Sequence, residues 1–224
     1  MQILGDAAPA VEGLIAHLSD VQHDQTEKHK RVATTKQAFK TKLNPSEEKH
    51  IKIFEQLKST LPRDAIVMGD ATQMSYTASF GFQVDEERCW HYAAGYCALG
   101  FAFPNAIGAK LAHPERAVLA IAGDGGTMFT VQEFVTAAEL KLPLPLILWH
   151  NDGYKQIRDD MREANVPRIA VDGLSPDYMA LAKAMHCHAI EPTSLETLSL
   201  AVSNAFEADR PTIILVREDS DWLA

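Results

Sequence analysis

Six short runs of strand-forming residues, separated by stretches of helical periodicity, constrain this chain more than any other feature. They fall near residues 64–68, 88–92, 117–122, 144–149, 185–190 and 212–216. Ala117–Ala122 and Leu144–Trp149 are almost wholly apolar, the pattern of a strand buried on both faces of a parallel sheet rather than one alternating between core and water. Apolar residues at helical spacing lie between the runs, near 72–80, 99–112, 130–141, 153–163, 176–184 and 194–207. Strands that alternate with helices predict a three-layer αβα fold built on a six-stranded parallel sheet.

The pattern starts only after residue 44. Asn44-Pro45-Ser46-Glu47-Glu48 is a helix-start signal, followed by Ile51, Phe54, Leu57 and Leu61 at helical spacing. Before it, residues 19–43 are rich in Lys, His, Asp and Thr and poor in apolar side chains, which predicts a charged, solvated linker with some helix. Residues 1–18 read as a short strand, a Gly5-Asp6 turn and a helix, too little for a domain and more like the tail of one. The expected organisation is therefore a remnant at 1–18, a linker at 19–43 and one domain at 44–224.

Charge and composition remove several classes of function. With 21 Lys and Arg against 30 Asp and Glu, the net charge is −9, the wrong sign for a nucleic-acid binder. No apolar run reaches the roughly 18 residues that a membrane helix needs, and the first residues lack a signal-peptide pattern. Cys89, Cys97 and Cys187 are odd in number and lack metal-site spacing. Free thiols in a reducing cytoplasm are the expected state.

In open parallel sheets, ligands bind beyond the carboxyl ends of the strands, so the loops there carry the chemistry. Gly123-Asp124-Gly125-Gly126-Thr127 follows the third run, just before a helix whose first N–H groups favour an anion such as phosphate. A carboxylate beside a phosphate repels it unless a cation lies between, so Asp124 points to a hard divalent ion, by default Mg²⁺. Asn151, after the fourth run, offers a neutral amide oxygen to the same ion. The loop lacks the third glycine of a dinucleotide fingerprint, and no Gly-Lys-Ser/Thr of a P-loop occurs.

Gly123-Asp124-Gly125, a helix, an apolar strand and then Asn151 resemble the signature of thiamine-diphosphate-dependent enzymes. Gly95-Tyr96-Cys97-Ala98-Leu99-Gly100 and the following Phe-Ala-Phe-Pro resemble the segment that cradles the cofactor's aminopyrimidine ring, and Gly69-Asp70-Ala71-Thr72-Gln73 resembles an outer diphosphate loop. The likeness runs from about Asn44 to Val216. It is to the pyrophosphate-binding, C-terminal domain of acetolactate-synthase-like and 2-oxoacid-decarboxylase-like enzymes.

The resemblance implies roles for particular residues. Asp124, the Asn151 side chain and the Gly153 carbonyl would hold Mg²⁺. The N–H groups of Gly125, Gly126 and Thr127, the Thr127 hydroxyl, and the loop at Ala71 and Thr72 would meet the diphosphate, with Tyr154 among the cofactor contacts. Leu99 would wedge between the cofactor's rings, while the Cys97 carbonyl and Leu99 N–H hold the pyrimidine edge. His150 stands where relatives often carry Asn and is a candidate for proton transfer. Cys97 stands where glycine is common, and a side chain that needs a positive φ there would put the pyrimidine contacts in question.

The implied reaction is cleavage of a 2-oxoacid with loss of carbon dioxide, the remaining fragment being released as an aldehyde or joined to a second carbonyl compound. It needs a Glu at the pyrimidine, which in this family comes from a separate domain, usually on a partner subunit. The chain is accordingly expected to work with such a domain, as a piece of a longer enzyme or as one subunit of a split one, and to bind cofactor only weakly alone. A non-catalytic assembly module of the same fold is the alternative. Homo-oligomerisation is expected through the cofactor face, with Tyr96, Phe101, Phe103 and Met128 as candidate contacts.

Overall fold

A computed structural model describes residues 4–19 and 24–224. The chain divides into two compact units, Met1–Leu43 and Asn44–Ala224. In the first, α1 (Ala7–Leu18) and α2 (Gln25–Lys40) bury none of their residues. Asp24 starts α2, its carboxylate accepting from the Thr26 and Glu27 N–H groups. The short strand expected at the start of the chain falls largely on residues 1–3, outside the described residues.

The second unit opens with α3 (Pro45–Thr60), which has a reciprocal capping box: Glu47 N–H donates to the Asn44 side chain at 2.9 Å and Asn44 N–H to the Glu47 carboxylate at 2.8 Å. The elements that follow are β1 (Ile66–Gly69), α4 (Gln73–Gly81), β2 (Trp90–Tyr92), α5 (Ala102–Ala112), β3 (Val118–Gly123), the single turn α6 (Asp124–Thr127), α7 (Glu133–Glu139) and β4 (Pro145–His150). Then come α8 (Lys155–Glu163), α9 (Tyr178–Ala184), β5 (His188–Ile190), α10 (Leu195–Phe206) and β6 (Thr212–Arg217), with a last 3₁₀ turn at Asp221–Leu223. All six strands pair in parallel, in the order β2-β1-β3-β4-β6-β5.

That order fixes where a ligand can enter. From β1 the chain runs outward to β2, then crosses back to lay β3 on the other side of β1. The connections leaving the ends of β1 and β3 therefore diverge, and a crevice opens between them. The sheet is covered on both faces, and strand alternation divides the core accordingly. Ile66, Met68, Val118, Ala120, Leu146 and Leu148 pack with α5, α7 and α9. Val67, Leu119, Ile121, Ile147, Trp149 and Ile214 pack with α3, α4 and α10.

Two helices are shorter than periodicity predicts. α5 starts at Ala102 rather than near 99, because Gly100 turns the chain with φ +82°. α7 starts at Glu133 rather than near 130, since residues 128–132 form turns and the Thr130 hydroxyl is bonded to the Gly100 carbonyl. Phe103, a candidate contact in the sequence reading, belongs to the core at 3 % exposure, packed edge-on against Phe134. Helical geometry carries it inward, while Tyr96 is 93 % exposed. All three cysteines are free. Among the described residues no helix is long and apolar enough to cross a membrane.

His50 makes the stability of this unit sensitive to acid. It is buried between α3 and α4, with Nδ1 2.8 Å from the Thr77 hydroxyl and its ring edge-on to Trp149. Burial, aided by Lys155 and Lys49 and opposed by Glu218, lowers its pKa from 6.5 to about 4. The unfolded chain thus takes up the proton first as pH falls. The stability held by neutral His50 is complete above pH 6.5 and drains away between 6.5 and about 4. His50→Leu is expected to remove on the order of 3 kcal/mol of that pH dependence, read from urea midpoints between pH 7 and 4.

Candidate cofactor site

Beyond the ends of β1, β3 and β4 lies a cavity of about 260 Å³. Ala71 and Thr72 contribute from the β1 end, Cys97 and Leu99 from the turn before α5, Asp124, Gly125 and Gly126 from α6, and Asn151, Gly153 and Tyr154 from the β4 end. Loops more than 80 residues apart in sequence meet because the sheet order sets β3 between β1 and β4. At Gly125 a side chain does not fit, since an added Cβ would stand 2.9 Å from the Tyr154 ring. Gly153 takes φ +97°, which turns its N–H onto Asp124.

Asp124 is 1 % exposed. Its Oδ2 accepts from Gly153 N–H at 2.7 Å and from the Ser175 hydroxyl at 3.4 Å, with His150 Nε2 3.9 Å away. Its backbone carbonyl accepts from the Tyr178 hydroxyl at 3.0 Å. Its Oδ1 is buried and has no hydrogen-bond partner among the described residues. A buried carboxylate oxygen left in this state is costly, and a hard cation is the partner that such an oxygen suits. Asn151 supports the same ion. Its Nδ2 donates to Gln73 Oε1 at 3.4 Å, which turns the amide nitrogen toward α4 and leaves Oδ1 as the free acceptor. Arg158 holds the backbone of this turn, donating to the Asn151 and Asp152 carbonyls.

Two sequence-expected site residues do not reach the cavity wall. Thr127 is buried, and its hydroxyl bonds back to the Gly123 carbonyl four residues earlier at 2.8 Å, so that hydrogen is spent inside the turn. His150 continues the face of β4 set by Leu146 and Leu148. It lies under Tyr178, ring centroids 5.7 Å apart, and opens on a neighbouring hollow with Asp152 and Asp172. Strand alternation sends it to the α9 side of the sheet, beside Asp124. Cys97 does take the left-handed conformation, φ +52°, and its exposed thiol sits 3.3 Å from the Tyr92 hydroxyl. The turn is kept without a glycine, closed by the Cys97 N–H on the Ala93 carbonyl at 2.7 Å.

Sequence reasoning missed Tyr76, Lys155, Gln156 and Asp160, which also line the cavity. Lys155 Nζ is 2.6 Å from Glu218, so its charge is compensated inside the protein. Burial works to raise the Glu218 pKa, but Lys155 and the Ser46 hydroxyl outweigh it and hold it below the ordinary value. Gln156 and Asp160 project from α8 at helical i, i+4 spacing and are bonded to each other at 2.9 Å. That spacing was the available signal.

Comparison with known proteins agrees with this geometry. The thiamine pyrophosphate enzyme C-terminal TPP binding domain matches residues 70–216, well over half of the chain. The chain belongs to the thiamine pyrophosphate enzyme family. The probable 2-ketoarginine decarboxylase AruI of Pseudomonas aeruginosa is 35 % identical over 214 residues, 95 % of this chain and 38 % of that protein. An acetolactate synthase large subunit of Corynebacterium glutamicum is 30 % identical over 75 % of this chain and 28 % of its own length. Among solved structures, a thiamine diphosphate-dependent 4-hydroxybenzoylformate decarboxylase of Rhodococcus jostii superposes with a TM-score of 0.66 at 28 % identity, over 78 % of this chain and 32 % of that one. The chain thus spans well under half the length of these relatives, as their C-terminal cofactor-binding domain does. Thiamine diphosphate is the cofactor of the family, and Mg²⁺ is usual in it.

The unpartnered Asp124 oxygen makes stability and loading opposed. Asp124→Asn removes the uncompensated buried charge, so the ligand-free variant is expected to melt no lower than the wild type. Thiamine diphosphate with Mg²⁺ at about 100 times its Kd stabilises a wild-type site by about 2.7 kcal/mol. Thermal denaturation with and without both ligands is expected to show an upward shift for the wild type and none for Asp124→Asn.

Proposed function

We propose that this chain is the Mg²⁺- and diphosphate-holding part of a thiamine-diphosphate-dependent 2-oxoacid decarboxylase whose substrate carries a cationic side chain. The observation that carries the cofactor reading is the buried, unpartnered Asp124 Oδ1 at a glycine-lined cavity. In this reading Asp124 Oδ1, Asn151 Oδ1 and the Gly153 carbonyl hold the metal. The N–H groups of Gly125 and Gly126, with Ala71 and Thr72 opposite, take the diphosphate. Leu99 N–H and the Cys97 carbonyl hold the pyrimidine edge, and the Leu99 side chain forms the wall that bends the cofactor.

The cofactor, once bound, supplies an electron sink for the pair released when a 2-oxoacid loses carbon dioxide. The residues of this chain bind, orient and exclude water. Leu99 and the Tyr154 ring are the apolar parts of the wall. His150 acts from behind Asp124, steadying the carboxylate rather than moving a substrate proton. The Glu that activates the pyrimidine belongs to another domain, on the same polypeptide or on a partner subunit. Exposed Tyr96, Phe129 and Met128 fit a surface covered by such a partner.

The charge of the cavity supports the substrate class. Its one lysine is compensated by Glu218, while Asp160 has no cation within ion-pair distance among the described residues. Burial, then the neighbouring Cys97, Asp70 and Asp160, raise the Tyr76 pKa in the same wall. A 2-oxoacid brings its own carboxylate into this negative field, and a guanidinium or ammonium at its far end offsets the repulsion. The Pseudomonas aeruginosa relative, a probable 2-ketoarginine decarboxylase, fits this class.

Two measurements test this reading. Calorimetry on the 224-residue chain is expected to show weak, Mg²⁺-dependent binding of thiamine diphosphate, with no carbon dioxide released from any 2-oxoacid. Robust turnover by this chain alone would overturn the assignment of the activating Glu to another domain. With the Glu-bearing domain present, 2-ketoarginine is expected to be preferred over pyruvate and benzoylformate. Asp160→Asn is expected to lower kcat/KM for 2-ketoarginine by about 10- to 100-fold, the worth of a charge-assisted hydrogen bond, and to leave pyruvate unchanged. Equal loss on both substrates would overturn the cationic-substrate reading.

A further inference from the structure

We propose that Asp70, which contacts no ligand in the reading above, is the positioning residue that sets the width of the cofactor cavity between Leu99 and the glycine loop of α6. This rests on the cavity being the thiamine diphosphate site. Asp70 follows the last residue of β1 and is 1 % exposed. Its own N–H is fixed to the Ile121 carbonyl of β3 at 2.8 Å, so the residue is locked to the sheet. Its carboxylate then reaches across the crevice. Oδ1 accepts from Ala71 N–H at 2.7 Å and Gly100 N–H at 3.1 Å, and Oδ2 accepts from Ala102 N–H at 3.3 Å.

The last two donors belong to the start of α5, which has no side-chain cap of its own. Asp70 supplies that cap from another strand, placing a negative charge at the positive end of the helix. Burial still pushes its pKa above the ordinary carboxylate value, against the lowering by those N–H groups. The backbone of Gly100 is held on both sides, because its carbonyl accepts from the Thr130 hydroxyl at 3.2 Å. Leu99 is the residue just before this clamp. A Cβ on Gly126 would lie 3.4 Å from Asp70 Oδ1 and 3.5 Å from Leu99 Cδ2, so the carboxylate and the Leu99 side chain both stand against the glycine loop. One carboxylate therefore spaces the Leu99 wall from the Gly125–Gly126 wall.

The consequence separates two kinds of ligand. Pyrophosphate with Mg²⁺ meets the glycine loop, the Ala71–Thr72 loop and the metal residues, but not the Leu99 wall. Thiamine diphosphate meets both walls and needs their spacing. Asp70→Asn keeps the packing volume against Gly126 but replaces one acceptor oxygen by a donor, which then faces a backbone N–H. The variant is expected to bind thiamine diphosphate about tenfold or more weakly, to bind Mg²⁺-pyrophosphate as the wild type does, and to exchange the Gly100 and Ala102 amides faster in the ligand-free protein. Thr130→Val, which frees the carbonyl of the same residue, Gly100, at a half-buried position, is expected to show the same split to a smaller degree, and decides the matter if Asp70→Asn does not fold. An equal loss for both ligands would make Asp70 a residue of general stability and overturn its positioning role. Unchanged thiamine diphosphate affinity alongside faster exchange would overturn it as well. A wild-type protein that binds neither ligand would overturn the cofactor reading itself, and this proposal with it.

Discussion

Two buried carboxylates at the ends of adjacent parallel strands organise everything around the crevice. Asp70 follows β1 and Asp124 follows β3, and each is 1 % exposed. A buried carboxylate needs hydrogen bonds or a cation to be tolerated. Asp70 finds three backbone N–H groups and so ties the start of α5 to the sheet. Asp124 finds Gly153 N–H for one oxygen and nothing for the other. The first is closed and structural, while the second is held half-satisfied by a fold that has already paid for its burial elsewhere. The difference between them is what separates the scaffold of the crevice from its reactive end.

The sheet order makes this arrangement possible. A crevice exists only where successive connections leave in opposite directions, and here that is between β1 and β3. β4 then lies beside β3 and brings the Asn151–Gly153 turn next to Asp124. The turn depends on backbone as much as on side chains. Asp152 and Gly153 both take positive φ, and Arg158 from α8 spans the Asn151 and Asp152 carbonyls. In turn Asp172 pairs with Arg158, which draws the segment before α9 over the same turn. The Asp172 pKa falls below the ordinary range through hydrogen bonds to Arg168 and Arg158.

Sequence alone carried the strands and the place of Asp124 at their carboxyl end because both follow from local rules. A run such as Val118-Leu119-Ala120-Ile121-Ala122 is apolar on both faces, which only a doubly covered strand requires. A carboxylate in a glycine loop at a helix start implies a cation wherever the loop binds phosphate. What stayed hidden depended on direction and on distant partners. The cap of α5 comes from Asp70, some 30 residues earlier, so no local signal marked Ala102 as its start. Thr127 bonds its hydroxyl to its own i−4 carbonyl, a choice that residue type alone does not reveal. His150 was assigned by its neighbour Asn151, yet alternation along β4 already placed it on the α9 side. Phe103 lies in the first turn of α5 on its inward face, and only the packing of that helix separates it from the exposed Tyr96.

The half-satisfied state of Asp124 also explains why this crevice is built from glycines and fixed backbone rather than from more polar side chains. Any side chain that donated to Oδ1 would stabilise the protein and remove the vacancy a cation needs. The nearest available donors are used elsewhere: Ser175 and Gly153 N–H serve Oδ2, the Tyr178 hydroxyl serves the backbone carbonyl, and the Asn151 amide nitrogen is turned to Gln73. Gly125 and Gly126 add no side-chain donor, and Tyr154 and Leu99 occupy the space that a longer polar residue would fill. Lys155 is the one flexible cation lining the cavity among the described residues, and half-buried Glu218 holds it at 2.6 Å, off Asp124. The fold thus withholds protein cations from a buried anion, and what that anion can bind is decided by what the surrounding donors have been given to do.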